Sequence, residues 1–268
     1  MIWLWREQHW RGEKMTKLVR EPKNQSQADL SYIENCDLLW SDSEGSNVEK
    51  LEAFTKYISR QSLTKFIART EVFKKQLHIN GSVLEVGVHR GASFMTWAHL
   101  SSILEPVNYL RQIIGFDTFS GFTDLSEKDS KGTSDHLEIG GFNPGNHAYQ
   151  NLMEAIQLYD KNRLMGHITK CQLIKGDAKY EIPKYLESNP HTLISLLHLD
   201  ADLYEPTKVA LQHIVPRMPK GAIILFDELN LDQFPGETIA ALECFNLNQE
   251  KVERFPYGTS MSYLTIGA

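Results

Sequence analysis

Two acidic stretches carry the residues best suited to chemistry. In "LLHLDADLYEP" an apolar run stops at Asp200 and Asp202, and in "AIILFDELN" a second run stops at Asp227 and Glu228. If the two runs are neighbouring strands, their ends lie about 4.8 Å apart in the pairing direction. Like charges that close destabilise a protein unless a cation or a proton sits among them. An all-oxygen set suits a hard cation such as Mg²⁺, which keeps some waters and leaves room for a substrate oxygen. Asp200, Asp227 and Glu228 are therefore the candidate metal ligands. Asp202, with Glu205 and Pro206, reads equally well as the start of the next helix, where proline and acids are favoured.

A third stretch, "EVGVHRGAS", places Glu85, Gly87 and Gly91 at a strand-to-helix turn. Glycines there let backbone approach a ligand, and the helix start offers free N–H groups. The spacing is a degenerate relative of G-x-G-x-x-G with His89 at one glycine position. Asp117 ends the next strand, where an acid can accept hydrogen bonds from ribose hydroxyls. Asp177 ends the third in "KGDA", where it faces an adenine or caps the following helix. His198 shares a sheet face with Asp200 and is either a packed strand histidine or a base. Tyr204 either lines an acceptor pocket or packs.

These residues need elements to hold them in place. "SVLEVGV", "QIIGFD", "CQLIKGD", "LISLLHLD" and "AIILFDE" read as strands. "GASFMTWAHLSSIL", "AKYEIPKYLE", "TKVALQHIVPRM" and "ETIAALECF" read as helices, and "KVERF" with "MSYLTIG" as a closing strand pair. Strand–helix alternation predicts an α/β, Rossmann-like domain with a mostly parallel sheet and helices on both faces. Ligands of such sheets sit beyond the carboxyl ends of the strands, where the acids and glycines cluster. The alternation breaks at residues 118–150, about 30 residues rich in Gly, Ser and Asp, which read as a lid over that edge. His136 and His147 lie in it and are candidates to reach a substrate.

The predicted organisation is an N-terminal arm over 1–47, partly irregular, and one α/β domain over 48–268 whose residues 48–80 form leading helices. The Trp-rich start, "MIWLWREQHWRGEKM", lacks the apolar core of a secretory signal. It reads as a docking arm, an interfacial anchor or a start upstream of Met15. The chain has 268 residues, 23% charged, and a net charge of −6, which argues against a nucleic-acid surface. No apolar run approaches a membrane span. Three scattered cysteines fit reduced thiols in a cytoplasmic protein. The leading helices could cover a neighbouring site in a homo-oligomer, though no residue requires it.

As an ordered set, "EVGVHRGAS", "GFDTFSGF", "KGDA", "LDADLYEPT" and "FDELN…FPGE" resemble the TylF/MycF family, the metal-dependent sugar O-methyltransferases of the macrocin and mycinamicin type. The resemblance covers about residues 60–268. It implies a class I methyltransferase fold, with a seven-stranded sheet and an antiparallel last strand. It implies S-adenosylmethionine over strands one to three, held by Glu85, Gly87, Val88, Gly91 and Ser93, with Asp117 on the ribose and Asp177 and Ala178 at the adenine. It implies Mg²⁺ or another divalent cation on Asp200, Asp227 and Glu228, with Asp200 as general base. Glu228 departs from the family, which has a second aspartate there. The acceptor would be a hydroxyl-bearing small molecule or glycan, with Tyr204, His136 and His147 near it. Three other readings share parts of the pattern. They are a catechol or phenol O-methyltransferase, a nicotinamide-dependent oxidoreductase and a non-catalytic Rossmann-like module. The oxidoreductase reading gives no reason for acids ending strands four and five.

Overall fold

The structure, a computed structural model, describes residues 26–267. The Trp-rich stretch at 1–15 lies outside the described residues. The chain divides into two compact units between Tyr57 and Ile58. In the first, helix α1 spans Gln27–Asp42 and α2 spans Asn47–Glu52. Each begins with a capping box, Ser26 with Asp29 and Ser46 with Glu49. The lead-in expected to be irregular is thus helical over most of its described length. Its polar composition masked a start signal written in only two residues.

The second unit opens with α3 (Arg60–Lys75) and then alternates. In order come β1 (Ser82–Val86), α4 (Ala92–Leu104), β2 (Ile113–Asp117), α5 (Ala148–Lys161), β3 (Cys171–Lys175), α6 (Ala178–Ser188), β4 (Ile194–Leu199), α7 (Tyr204–Ile214), β5 (Ile223–Phe226), α8 (Pro235–Cys244), β6 (Val252–Arg254) and β7 (Ser262–Thr265). The strands form one seven-stranded sheet in the order β3-β2-β1-β4-β5-β7-β6. Strands β1 to β5 are parallel, and β7 runs antiparallel to both β5 and β6. This is the expected class I methyltransferase topology. Helix α5 was not expected from the sequence. It buries Leu152, Ile156 and Tyr159, one face of a helix, against the sheet.

Period-two alternation splits the core. Val83, Ile113, Leu196, Ile223 and Leu225 face a cluster built with α3, α4 and α5, while Leu84, Ile114, Leu197 and Ile224 face α6, α7 and α8. The same parity sends Glu85, His198 and Asp227 to the α3/α4 face. Arg111, buried just before β2, donates to the carbonyls of Leu77, Ile79 and Gly81. It thereby fixes the connection from α3 to β1, and with it the placement of α3.

Candidate active site

The carboxyl ends of β1, β2, β4 and β5 share one edge, and the backbone there is under strain. His89 follows β1 at φ 52°, Phe119 follows β2 at 53°, Asp202 follows β4 at 61° and Asn230 follows β5 at 66°. Left-handed backbone costs roughly 1–2 kcal/mol for a residue such as Phe119, and less for His89, Asp202 and Asn230, whose side chains tolerate it. Its concentration at one edge marks where the chain is held for a purpose other than stability.

Gly87 has φ 90°, and a Cβ there would lie 1.9 Å from the carbonyl oxygen of Asp200. Only glycine lets the β1 and β4 ends approach this closely. Gly91, at φ 86°, starts α4 with no side-chain cap, so the first N–H groups of that helix remain available to a carboxylate. Asp117 braces the loop. Its Oδ2 accepts the N–H groups of Val88 and His89, both at 2.7 Å, and its Oδ1 accepts that of Phe119 at 2.5 Å. Asp117 thus holds the glycine loop and the first turn of the lid, at the strand end where the ribose is expected. Asp177 caps α6 by accepting from Lys179 N at 2.9 Å, and its other oxygen accepts from Thr123 Oγ1 at 3.1 Å. Ala178, buried, begins α6 beside it.

Glu85 is fully buried inside β1. Ser93 donates to its Oε1 at 2.5 Å, and its Oε2 lies 3.5 Å from His198 Nδ1. Glu85 and His198 are register partners on adjacent strands. The far nitrogen of His198, Nε2, lies 3.9 Å from Asp227 Oδ1. A polar chain, Ser93–Glu85–His198–Asp227, therefore runs beneath the edge from the glycine loop to the acids. Burial opposes a charge on His198, but the carboxylates of Asp227 and Glu85 outweigh it and raise its pKa to about 9.

The acids of β4 and β5 do converge. Oxygens of Asp200, Asp202 and Glu228 lie within 4.8 Å of one another, and so do ligand atoms of His198, Asp200 and Asp227. Asp202 was weighed as part of the next helix. It precedes α7, which starts at Tyr204, and joins the cluster instead. Two cations that sequence reading missed face these acids from α3. The Lys65 ammonium pairs with Asp227 Oδ2, and Arg69 Nη2 lies 3.9 Å from Asp200 Oδ2. Burial and the Asp227 charge push Asp200 up to about 6. Burial alone would raise Asp227 as well, but Lys65 holds it well below the usual range. Burial, then the charges of Asp227 and Asp202, push Glu228 well above its usual value. Glu237, fully buried in the first turn of α8, accepts the Glu228 N–H at 2.9 Å and fixes that residue.

Residues 118–147, between β2 and α5, contain no helix or strand. Phe142 gathers Phe122, Phe234 and His136 around it, with centroids at 5.5, 5.7 and 4.9 Å. Arg90 donates to Pro144 O at 3.3 Å. Asp129, 2% exposed, also ties this segment to the sheet edge: its Oδ1 accepts the N–H of Tyr204 at 2.9 Å, at an α7 start that has no side-chain cap of its own. Tyr204 is buried, and its hydroxyl donates to Glu243 at 2.6 Å. His147 is exposed and precedes α5.

The all-carboxylate group of Asp200, Asp202 and Glu228 fits a hard divalent cation, and Asp227, whose buried Oδ1 makes no hydrogen bond, adjoins it through Asp200 and His198. The uncapped α4 start and the close-packed glycine loop fit the amino-acid end of a nucleoside-linked cofactor. A carboxylate with its pKa near 6 suits proton abstraction near neutral pH.

A family model described as a methyltransferase domain matches residues 84–229. The chain is similar in structure to CalS11, described as a calicheamicin methyltransferase, with 30% identity, a TM-score of 0.87, and 96% of this chain and 98% of that one covered. The apo form of CalS11, described as a TDP-rhamnose 3'-O-methyltransferase in calicheamicin biosynthesis, matches at 29% identity and a TM-score of 0.78, covering 96% of this chain and all 100% of that one. The O-methyltransferase NovP shares the fold at 16% identity and a TM-score of 0.52, over 75% of this chain and 78% of its own. No curated protein sequence matches the chain.

Proposed function

Because the chain belongs to the methyltransferase-domain family, and within it is an S-adenosylmethionine-dependent O-methyltransferase, we propose that its acceptor is a hydroxyl of a sugar or sugar-containing metabolite and that a divalent cation assists the transfer. The observation that carries the sugar reading is the likeness to a rhamnose O-methyltransferase along nearly the whole chain. The metal reading rests on the convergence of acids from β4 and β5.

In this reading the loop at Glu85, Gly87, Val88, Gly91 and Ser93 seats the cofactor, with Asp117 bracing the loop and facing the ribose, and Asp177 and Ala178 bordering the adenine side. Asp200, Asp227 and Glu228 would hold Mg²⁺, with Asp202 close enough to Asp200 and Glu228 to join them. When bound, the cation lowers the pKa of the acceptor hydroxyl, and S-adenosylmethionine supplies the methyl. Asp200 takes the acceptor proton at its carboxylate, where a pKa near 6 leaves it ionised at neutral pH. The lid, with His136 and His147, excludes water and shapes the acceptor site, while Tyr204 supports it from α7. A cytoplasmic location accords with three free thiols.

A panel of deoxysugar nucleotides, free sugars and catechols, each incubated with enzyme, methyl-labelled S-adenosylmethionine and Mg²⁺, tests the acceptor. Labelling of the sugar compounds is expected. Labelling of catechols alone would refute the sugar reading and leave the methyltransferase itself intact.

A further inference from the structure

The acid cluster already contains a cation of its own. Lys65 and Arg69 lie four residues apart on α3, hence on one face of the helix. Arg69 stays at the limit of ion-pair distance, 3.9 Å from Asp200. Lys65 makes a close contact, with its ammonium both paired and hydrogen-bonded to Asp227 Oδ2. The Asp227 side chain is only 1% exposed, while that of Lys65 is 37% exposed, so the lysine enters the cluster from the solvent side. The other oxygen of Asp227 makes no hydrogen bond and lies 3.9 Å from His198 Nε2; Asp227 groups with His198 and Asp200, and Asp200 groups in turn with Asp202 and Glu228.

We propose that Lys65 is a tethered counter-cation that occupies Asp227 and competes with the divalent cation for the acid cluster. This inference rests on the metal reading above. A lysine on a flexible four-carbon stem is a point charge that can be withdrawn, unlike the planar fork of an arginine. With Lys65 in place, Asp227 is neutralised as a ligand, and the nearby positive charge weakens any cation held by Asp200, Asp202 and Glu228. The arrangement keeps four acids together when the metal is absent. It makes the metal site weak until an acceptor oxygen completes it. Lys65 is a positioning residue here, acting through Asp227.

The test is titration of chelator-treated, full-length protein with Mn²⁺, reading free Mn²⁺ by electron paramagnetic resonance. The variants are Lys65→Met, Asp227→Asn and the double variant, with thermal melting to establish that each folds. Lys65→Met is expected to tighten Mn²⁺ binding by about tenfold or more, as removal of one positive charge from a partly buried cluster requires. Asp227→Asn alone removes a negative charge and leaves Lys65 facing the other acids, so it should bind Mn²⁺ more weakly than native, and in the Lys65→Met background it should abolish the gain. Equal or weaker binding by Lys65→Met would overturn the proposal while the metal reading stood. If Lys65→Met does not fold, Lys65→Gln takes its place, and equal or weaker Mn²⁺ binding by that variant would overturn the proposal. Failure of every form to bind Mn²⁺ would overturn both.

Discussion

Replacing Asp129 with alanine removes an acceptor on which two segments depend. Its Oδ1 takes the N–H of Tyr204, and its Oδ2 takes the N–H and hydroxyl of Ser126 at 2.9 and 2.7 Å. Loss of an N-cap costs about 1 kcal/mol, within a range of 0.5–2. The Tyr204 N–H lies in a buried environment and would be left unmatched, which adds a penalty of about 1–3 kcal/mol. These contributions overlap, so a total of roughly 2–4 kcal/mol is expected. For a domain of this size each kcal/mol shifts Tm by about 2–4 °C, which predicts a fall of roughly 5–15 °C. Circular-dichroism melting measures it directly. Asp129→Asn keeps the Oδ1 acceptor and should recover more than half of the loss. The cap also sits two residues after Asp202, whose left-handed backbone must be held in place. Turnover of Asp129→Ala should therefore fall at temperatures well below its melting point, while S-adenosylmethionine affinity stays within threefold. Unchanged melting in the alanine variant would refute the cross-segment cap. A loss of cofactor affinity equal to the loss of turnover would refute its link to the acid loop.

Asp117→Ala should weaken S-adenosylmethionine binding at least tenfold by calorimetry, because three backbone N–H groups of the glycine loop and lid lose their acceptor; unchanged affinity would mean that the loop does not seat the cofactor. Lys170, 4% exposed, has its pKa pushed down to about 8, chiefly by burial. Below pH 8 both folded and unfolded chains carry the charge, and the fold bears its desolvation. Between about 8 and the ordinary lysine value near 10.4, the folded chain loses the proton first, so stability rises with pH. Lys170→Met should be more stable than the native chain at pH 7, by about 1–2 kcal/mol in urea unfolding, and the gain should shrink by pH 10. A gain independent of pH would contradict the buried-charge account.

Much of this site could be read from the chain because strand parity is local. Asp117, Asp200 and Asp227 each end or directly follow an apolar run. Parallel pairing of β4 with β5 then brings the last two together without help from any distant residue. Glycine at 87 and 91 was legible for the same reason, as a turn that a side chain would block. The cations were not legible. Lys65 and Arg69 sit in a helix whose pattern says only that one face packs on a sheet, and which charges reach the acids depends on where α3 docks. Asp129 was hidden in a loop with no periodicity, 75 residues before the helix it caps. Asp202 looked like a helix start because acids and proline follow one another there. The left-handed turn at 202 moves the start of α7 to Tyr204 and turns the carboxylate towards Asp200 and Glu228. Helix α1 was overlooked because low apolar content hides a helix that its capping residues mark.

The most direct test of the central claim, that the acids ending β4 and β5 perform the transfer beside a separately built cofactor seat, compares native protein with Asp200→Asn. Two quantities are measured on each: S-adenosylmethionine affinity by calorimetry and Mg²⁺-dependent methyl transfer to a sugar hydroxyl. The account predicts affinity within threefold of native and transfer reduced by at least about a hundredfold, the scale of a lost general base. Transfer that survives in Asp200→Asn with the same Mg²⁺ dependence would contradict it.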